Sequence, residues 1–517
     1  MAKVLFVNPV MREEDEPRHV PYGMALLAAL AVRDGHQVQV YDHNAWRPSD
    51  SVVAQVLRAD RWDVVALGGI TTAYRSIKQI VGMAKAAAPQ ALVVAGGGVL
   101  TSMPHDIMRF LPEVDVGVVG EAFVSFPELL RCVDAGARDW AQVKGLVWRE
   151  RSGTTTLNPE QPLIADLDSL PYPAWELFPL EVYFKNSMAL FSEEGMLARR
   201  RLDINASYGC SLICRFCFHL GIAGDMKQAP NERGENDVTF THDRKIRYHS
   251  PRYVVDLVKY ARQRFGVDFI GFLDENLMTM HQFSGKTWLT DIARLWIEEG
   301  LQPRCVRDGV PHDPEKCTGV HWGGTSHATL CSPDVLRAIK HAGCSHLVYG
   351  YESFSPRVMK TIGKGATPET NERSLRWTLE AGIRPIPNQM MGFPDEDFDS
   401  LKDNIRAWNR LGLAVKPFFA TPYPGTEWYY AHKQRILEQY DGDLEAFLLD
   451  LGDATRVTAV ISKKFNAVEL YGLRELMVLR DIRRIEQYEA EWNRLHAHDP
   501  GAALASARPP ALDTARS

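Results

Sequence analysis

No apolar run in this sequence reaches the roughly 20 residues that a membrane-spanning helix needs, and no charged leader with a hydrophobic stretch opens it. The opening Met1-Ala-Lys-Val-Leu-Phe-Val7 reads instead as the start of a buried strand. Cysteine is sparse, at 8 of 517 residues, and its spacing makes no disulfide framework of the kind small secreted domains use. A reducing cytoplasm is the expected compartment. An excess of positive charge is missing too: the formal net charge is −6, which disfavours a general binder of nucleic acid or anionic membrane. What remains is ordinary globular usage, with 24% charged and 45% hydrophobic residues. The length suffices for two or three domains with cores of their own.

Three of the cysteines stand together. Cys210, Cys214 and Cys217 are spaced C-x3-C-x2-C within Asn205-Ala-Ser-Tyr-Gly-Cys-Ser-Leu-Ile-Cys-Arg-Phe-Cys-Phe218. They follow an apolar, strand-like stretch from Leu202 to Ala206 and a turn at Gly209, so three thiolates share one loop at a strand end. Iron–sulfur clusters are ordinarily held by four cysteines, and a cubane held by three leaves one iron open to a small molecule. A structural zinc site is the alternative, but it wants four ligands in a closed tetrahedron. The one nearby candidate for the fourth, His219, lies too close to Cys217 for easy closure.

The triplet resembles the signature of the radical S-adenosylmethionine (SAM) enzymes. That resemblance implies a 4Fe-4S cluster on the three cysteines, with SAM chelated to the open iron through its amino and carboxylate groups. It also implies one-electron cleavage of SAM to a 5′-deoxyadenosyl radical.

Residues 1–145 alternate strand and helix patterns. Short β-branched and apolar runs stand at Val4–Val7, Val38–Tyr41, Val64–Leu67, Leu92–Ala95 and Val116–Val119. Helical patterns run through Met24–Ala31 and Ser51–Arg58, and a third follows Gly68–Thr72 and runs on to Ala87. Such alternation predicts an α/β fold with a doubly wound, Rossmann-like parallel sheet, whose ligands bind outside the carboxyl ends of the strands. Those ends carry Asn8, Gly68-Gly69 with Thr71, Gly96-Gly97-Gly98 and Gly120-Glu121. Glycines there let a backbone approach a ligand closely, although tight turns alone would also use them. The fingerprint G-x-G-x-x-G is missing after the first strand, which disfavours NAD.

Directly upstream of such a triplet, this domain resembles the cobalamin-binding module of B12-dependent radical SAM proteins. The opening Val-Leu-Phe-Val-Asn-Pro9, the segment Pro21-Tyr-Gly-Met-Ala-Leu-Leu-Ala-Ala29, the stretch Gly35 to Asp42 and the linker Asp166-Leu-Asp-Ser-Leu-Pro-Tyr-Pro-Ala174 carry the likeness. The D-x-H-x-x-G motif that supplies a cobalt-ligating histidine elsewhere is absent; Asp42-His43-Asn44 and His105-Asp106 do not match it. The lower axial face of cobalt is thereby left unassigned. His19, Arg18 and Tyr22 are further candidates to line the corrinoid.

Residues 200–430 read as a partial (β/α)6 barrel joined to the first domain by a linker, 146–199. Strands are expected at Leu202, Phe269–Leu273, His321, His346–Glu352, Arg384–Met391 and Val415–Thr421. Helices are expected at Pro251–Arg262, Pro333–His341 and Glu369–Ala381. Barrels place their chemistry at the C-terminal strand ends. The family likeness then implies that Asp274-Glu275-Asn276 receives the SAM amino group and that Glu352 contacts the ribose and amino-acid moiety. It also places Gly392 near the adenine and Phe216 at the aromatic site within the triplet. Thr421-Pro-Tyr-Pro-Gly-Thr426 resembles the sixth-strand exit common in B12-dependent members.

Two polar stretches, His219–Arg247 and Arg307–Lys316, read as long loops that serve as lids or as plain connections. Cys305 and Cys317 flank the second, while Cys132, Cys331 and Cys344 fall on apolar faces as small buried hydrophobes. Charged amphipathic helices are expected over 455–495 in a C-terminal region, 431–500, followed by a disordered tail, 501–517.

The resemblance implies a cobalamin-dependent radical SAM methyltransferase acting on an unactivated carbon or phosphinate centre of a small biosynthetic intermediate, as in antibiotic biosynthesis. It also implies a flavodoxin- or ferredoxin-type electron donor. An oxidative, porphyrin cyclase-like enzyme or a rearrangement enzyme is the alternative, and a non-catalytic corrinoid or iron–sulfur sensor is the third reading. Methyl transfer would leave 5′-deoxyadenosine and S-adenosylhomocysteine as products.

Overall fold

A computed structural model of the chain describes residues 1–150, 152–186, 192–218, 226–241 and 243–496. His219 and the tail expected to be disordered lie outside the described residues. The chain forms two compact units: Met1–Ser211 with Phe218–Thr325 and Arg337–His346, and Leu212–Cys217 with Ser326–Leu336 and Leu347–Ser517.

The first unit opens on a seven-stranded sheet. Its strands are β1 (Lys3–Asn8), β2 (Gln37–Asp42), β3 (Val64–Gly68), β4 (Leu92–Gly96), β5 (Val116–Val118), β6 (Leu146–Arg149) and β7 (Thr155–Leu157). They lie in the order β2-β1-β3-β4-β5-β6-β7, with the first five parallel and β6 and β7 antiparallel. β1, β3, β4 and β5 are buried on both faces, which is why their sequences are unbroken apolar runs rather than alternating ones. Val4, Phe6, Ala66, Val94, Phe126 and Leu129 share one core. Residues 146–157, read from sequence as part of a linker, supply β6 and β7.

The same unit continues with β8 (Arg201–Ile204), β9 (Ser207–Tyr208), β10 (Met226–Pro230), β11 (Asn236–Phe240), β12 (Arg247–Tyr248), β13 (Phe269–Phe272) and all but the last residue of β14 (His321–Ser326). β8, β13 and β14 are parallel neighbours. The helix Pro251–Phe265 between them starts on the Ser250 hydroxyl, which accepts the Tyr253 N–H at 3.2 Å, and stops at Gly266 with φ +70°.

One stretch departs from its sequence reading. Where a structureless loop was expected between His219 and Arg247, β10 and β11 form a hairpin. Its turn is built by Asn231, whose Oδ1 accepts N–H bonds from Arg233 at 2.9 Å and Glu235 at 3.0 Å, with Gly234 at φ +74°. Only half of the residues in Met226–Pro230 and Asn236–Phe240 are apolar, and the first strand breaks alternation at Gln228-Ala229-Pro230, so no sustained period-two pattern announced the pair.

The second unit holds most of β15 (Cys344–Glu352), β16 (Arg384–Met391) and β17 (Phe418–Phe419). Among the described residues the barrel strands are six, in the order β17-β16-β15-β14-β13-β8. β17 is shorter than the expected Val415–Thr421 because Pro417 has no N–H to give a ladder. Helix Phe398–Leu411 begins on a capping box between Asp397 and Ser400 and ends at Gly412, φ +67°. The C-terminal helices are Ala467–Val478 and Ile482–His496. Residues 455–466 are irregular rather than helical, because Asn466 caps the first of these helices through the Glu469 N–H. Among the described residues no helix is long and apolar enough to cross a membrane.

Candidate functional site

In the first unit a cavity of about 380 Å³ opens where β1, β3, β4 and β5 end. Asn8, Gly68, Gly69, Gly96, Gly97, Gly98, Gly120 and Glu121 line it, with Phe6, Ala66, Val94 and Phe126 contributing apolar wall. The glycines are required by contact between the two loops they form. A Cβ on Gly68 would sit 2.6 Å from the Gly96 carbonyl oxygen, and one on Gly97, at φ +85°, 2.6 Å from that of Gly69. The loops therefore close on each other and leave backbone at the rim.

Two expected members stand elsewhere. Thr71 is buried in a single 3-10 turn, Thr71–Ala73, outside the cavity wall. His19 is exposed, and its Nδ1 lies 2.5 Å from Asp203 Oδ2. Burial works against the Asp203 charge, yet Arg201 and His19 hold its carboxyl down to about 2. Asn8 is anchored by its amide, which donates to Asp42 Oδ1 at 2.8 Å and to the Tyr183 hydroxyl at 3.2 Å.

Tyr22 lines the cavity, and its buried hydroxyl has no hydrogen-bond partner among the described residues. A buried polar atom left without a partner is costly, and a bound ligand is one way to satisfy it. The lining residues include no histidine, so a corrinoid held here would receive no imidazole from the wall. An apolar wall around about 380 Å³, a glycine rim and one orphaned hydroxyl fit an apolar ring system that forms part of a ligand, with its polar groups at the rim.

Tyr208, which sequence reasoning did not single out, connects this cavity to the cysteine run. It lines the cavity two residues before Cys210. Its ring meets Phe123 edge-on at 5.9 Å and lies under the Arg247 guanidinium at 5.6 Å. Arg247 in turn grips Glu121 with two bonds, of 2.8 and 3.1 Å, and donates to the Ile164 carbonyl at 2.8 Å. β9 and β12 pair through Tyr208 and Arg247. Gly209, at φ +101°, lets the chain turn beside the Lys245 carbonyl, where a Cβ would come within 2.5 Å. After the triplet, Phe218 returns to the glycine rim, 3.4 Å from where a Gly98 Cβ would stand.

At the end of β13 the three polar residues divide their work. Asp274 is fully buried and accepts the Ala206 N–H at 3.1 Å and the Ser207 hydroxyl, while burial pushes its carboxyl up to about 7. Asn276 caps helix Leu277–Phe283 by accepting the Met278 N–H at 3.1 Å, and donates to Thr279 Oγ1 at 3.1 Å. That hydroxyl lies 4.0 Å from Cys210 Sγ. Both residues are thus occupied in holding the loop. Glu275 is not: its buried Oε2 lacks a hydrogen-bond partner, and burial, with Asp274 beside it, pushes its carboxyl up to about 8. It is the acceptor left over for a ligand N–H.

The second unit holds Cys214, Phe216 and Cys217 in one turn, closed by the Cys217 N–H on the Cys214 carbonyl at 3.0 Å. Phe216 packs against Trp428 with ring centroids 5.5 Å apart. Lys364, unremarked in the sequence, is buried with its Nζ 2.5 Å from Glu352 Oε1 and 5.8 Å from the Phe216 ring. Burial opposes its charge, but Glu352 and the Cys214 and Cys217 sulfurs outweigh it and raise the ammonium's pKa. A fixed ammonium beside two cysteine sulfurs complements the negative charge that thiolate metal ligands carry. Its signal was the run Gly363-Lys-Gly365, whose glycines take φ +69° and +70°.

Glu352, the last residue of β15, has φ +57°, one of five non-glycine residues with positive φ among those described. Such a conformation costs about 1–3 kcal/mol and survives where the surroundings enforce it, often at functional sites. Gly392, at φ +83°, donates its N–H to Glu396 Oε2 at 2.5 Å. Glu396 is buried and its carboxyl is pushed up to about 8. What Gly392 can offer a ligand is therefore its carbonyl and its lack of a side chain.

Comparison with known proteins gives two family matches: B12 binding domain over residues 10–130, and Radical SAM superfamily over residues 204–407. The chain is 27% identical over 419 residues to an uncharacterized methyltransferase of Pyrococcus horikoshii, covering 81% of this chain and 79% of that one. It is 24% identical over 478 residues to the cytidylyl-2-hydroxyethylphosphonate methyltransferase of Streptomyces wedmorensis, covering 82% and 80%. Its fold resembles that of the radical SAM methyltransferase TsrM from Kitasatospora setae, at 17% identity and a TM-score of 0.63, over 84% of this chain and 79% of that one.

Proposed function

We propose that this chain, a radical SAM enzyme with an N-terminal B12-binding domain, methylates an unactivated carbon or a phosphinate centre of a small biosynthetic intermediate. One observation carries the reading: β9 lines the glycine-rimmed cavity through Tyr208 and leads, two residues on, into the first cysteine of the triplet. The cavity wall and Cys210 are thus joined by one short strand of the first unit. The methyltransferase relatives in Pyrococcus horikoshii and Streptomyces wedmorensis favour methyl transfer over the sensor reading.

When bound, the cluster with SAM supplies hydrogen abstraction at an unactivated centre, and cobalamin carries the methyl group. The chain's own residues bind, orient and exclude. Cys210, Cys214 and Cys217 hold the cluster and leave one iron for SAM, with Lys364 offsetting the sulfur charge. Glu275 accepts an N–H of the SAM amino group, and Glu352, held by Lys364, faces the ribose and amino-acid portion. Phe216 and the Gly392 backbone border the adenine. The glycine rim and the apolar wall under it seat the corrinoid and keep water from its face, with Tyr22 and Tyr208 beside it. A flavodoxin- or ferredoxin-type protein supplies the electron.

Anaerobic turnover with SAM, a reductant and cobalamin tests this reading, with both SAM products quantified by mass spectrometry. Methyl transfer yields 5′-deoxyadenosine together with S-adenosylhomocysteine. Deoxyadenosine alone would turn the assignment to a cyclase or rearrangement, and neither product would return it to a sensor.

The role given to Glu275 has its own expected result. Glu275→Gln should weaken SAM binding by about tenfold, the worth of one hydrogen bond to a charged acceptor. The wild-type carboxyl, raised to about 8, offers the stronger, charge-assisted bond only once it ionises. Binding by the wild type therefore tightens as pH rises toward 8 and releases a proton below it. The glutamine variant should show a flat profile over the same range by equilibrium dialysis with labelled SAM; a variant that keeps both affinity and slope would remove Glu275 from the site.

A further inference from the structure

In the chain between helix Trp288–Glu298 and β14, two cysteines and two histidines outside the triplet converge. They are Cys305, His312, Cys317 and His321, spaced C-x6-H-x4-C-x3-H. One donor atom from each lies within 4.8 Å of every other. The sulfurs are 3.1 Å apart, and Cys305 Sγ is 3.3 Å from His321 Nε2 and 3.6 Å from His312 Nδ1. Cys317 Sγ is 4.0 Å from His321 Nε2. A tetrahedral zinc with bonds of about 2.3 Å to sulfur and about 2.0–2.1 Å to nitrogen has S···S edges near 3.8 Å and S···N edges near 3.6 Å. The observed edges fall on both sides of those values: the two sulfurs would move apart and Cys317 Sγ would move toward His321 to reach the tetrahedron.

We propose that these four residues bind one zinc ion in a closed structural site. Two thiolates and two imidazoles in a tetrahedron are the donor set zinc takes. All four positions are filled by protein, which leaves none for water or substrate. The placement agrees: His321 is the first residue of β14, at its N-terminal end, whereas chemistry on such barrels sits at the C-terminal ends.

Further contacts within the quartet suit a metal. The Cys305 N–H donates to Cys317 Sγ at 3.4 Å, as backbone amides do toward thiolates. His321 is buried, its Nδ1 has no partner among the described residues, and its Nε2 faces the sulfurs. The crossover has little apolar anchoring of its own; Val310 is exposed and the short helix Arg304–Asp308 ends at Gly309. A metal tie between Cys305 and His321 would supply what a core does elsewhere. On binding, the two thiols give up their protons to solvent and no electron moves.

The test uses the full-length protein, isolated anaerobically before any cluster reconstitution, with zinc and iron measured by plasma mass spectrometry. One zinc per chain is expected, released by a mercurial and captured by a chromogenic chelator. The double variant C305S/C317S should drop zinc to below about a tenth of an equivalent while keeping the iron that depends on Cys210, Cys214 and Cys217. Should that variant fail to fold, His312→Ala on the half-buried loop is the second probe, expected to keep the fold and lower the zinc content. Cobalt(II) in place of zinc should show the intense visible bands of a tetrahedral site with thiolate charge transfer. A zinc-free protein with Cys305 and Cys317 joined in a disulfide would overturn the proposal. So would zinc retained in both variants, or iron that follows Cys305 rather than the triplet.

Discussion

Cys214→Ala should reduce 5′-deoxyadenosine formation to the protein-free background. Three cysteines are the fewest that can hold a cubane and still leave one iron for SAM, so no spare ligand exists. Removing a mere outer-shell partner of a metal ligand costs roughly 10–100-fold in affinity or activity; removing a ligand costs more. Cys214 is also the buried member of the set, at 8% exposure, beside the Lys364 ammonium. The substitution therefore takes away both a sulfur and part of the reason for the buried positive charge. Iron content and the visible cluster absorbance should fall together with cleavage. Cys331→Ala is the control, since Cys331 is buried beside the Tyr349 hydroxyl at 3.4 Å and has no part in the triplet. SAM cleavage that survives in Cys214→Ala would defeat the radical SAM assignment of these cysteines.

Gly97→Ala should abolish cobalamin binding while leaving SAM cleavage in place. Gly97 stands at φ +85° and ψ −173°, a region essentially reserved for glycine, where an alanine costs about 1–3 kcal/mol in backbone strain alone. The larger effect is steric. The new methyl would sit 2.6 Å from the Gly69 carbonyl oxygen and 2.7 Å from its nitrogen, and no rotamer change can relieve a contact between a Cβ and a backbone. The two glycine loops must separate, and with them the rim of the cavity. Titration with hydroxocobalamin, followed in the visible, should show no band shift in the variant and a clear one in the wild type. Gly82→Ala is the matched control: Gly82 lies within helix Tyr74–Ala87 with nothing within 4 Å of its would-be Cβ. There alanine should be neutral or stabilise by up to about 1 kcal/mol. Normal cobalamin binding by Gly97→Ala would place the corrinoid away from this rim.

These two outcomes separate the halves of the proposal. The first removes the cluster chemistry and leaves the cavity intact, while the second does the reverse. A protein that loses adenosylhomocysteine but keeps deoxyadenosine in Gly97→Ala would show that the methyl carrier and the hydrogen-abstracting chemistry are separable in this chain.

The sequence by itself determined the β-α alternation, the glycines at the strand ends and the cysteine triplet. Buried parallel strands need unbroken apolar runs such as Val64-Val-Ala-Leu67, and closely approaching loops need residues without a Cβ. Both demands are local, so they are written in adjacent residues. Tertiary structure alone decided what each polar group is free to do. Asp274, Glu275 and Asn276 look alike as a string, yet Ser207, Ala206 and Met278 occupy the first and third and leave only Glu275 with an oxygen unpaired. The β10–β11 hairpin was hidden because its strands mix apolar and polar residues without sustained alternation and its turn rests on one asparagine side chain. Lys364 gained its place from Glu352, twelve residues away, and Tyr208 from Arg247 and Phe123. The zinc quartet was equally hidden, for it has no C-x2-C arm and draws its last ligand from a strand. Burial, charge environment and ligand geometry are set by residues far apart in the chain, and only the folded molecule brings them together.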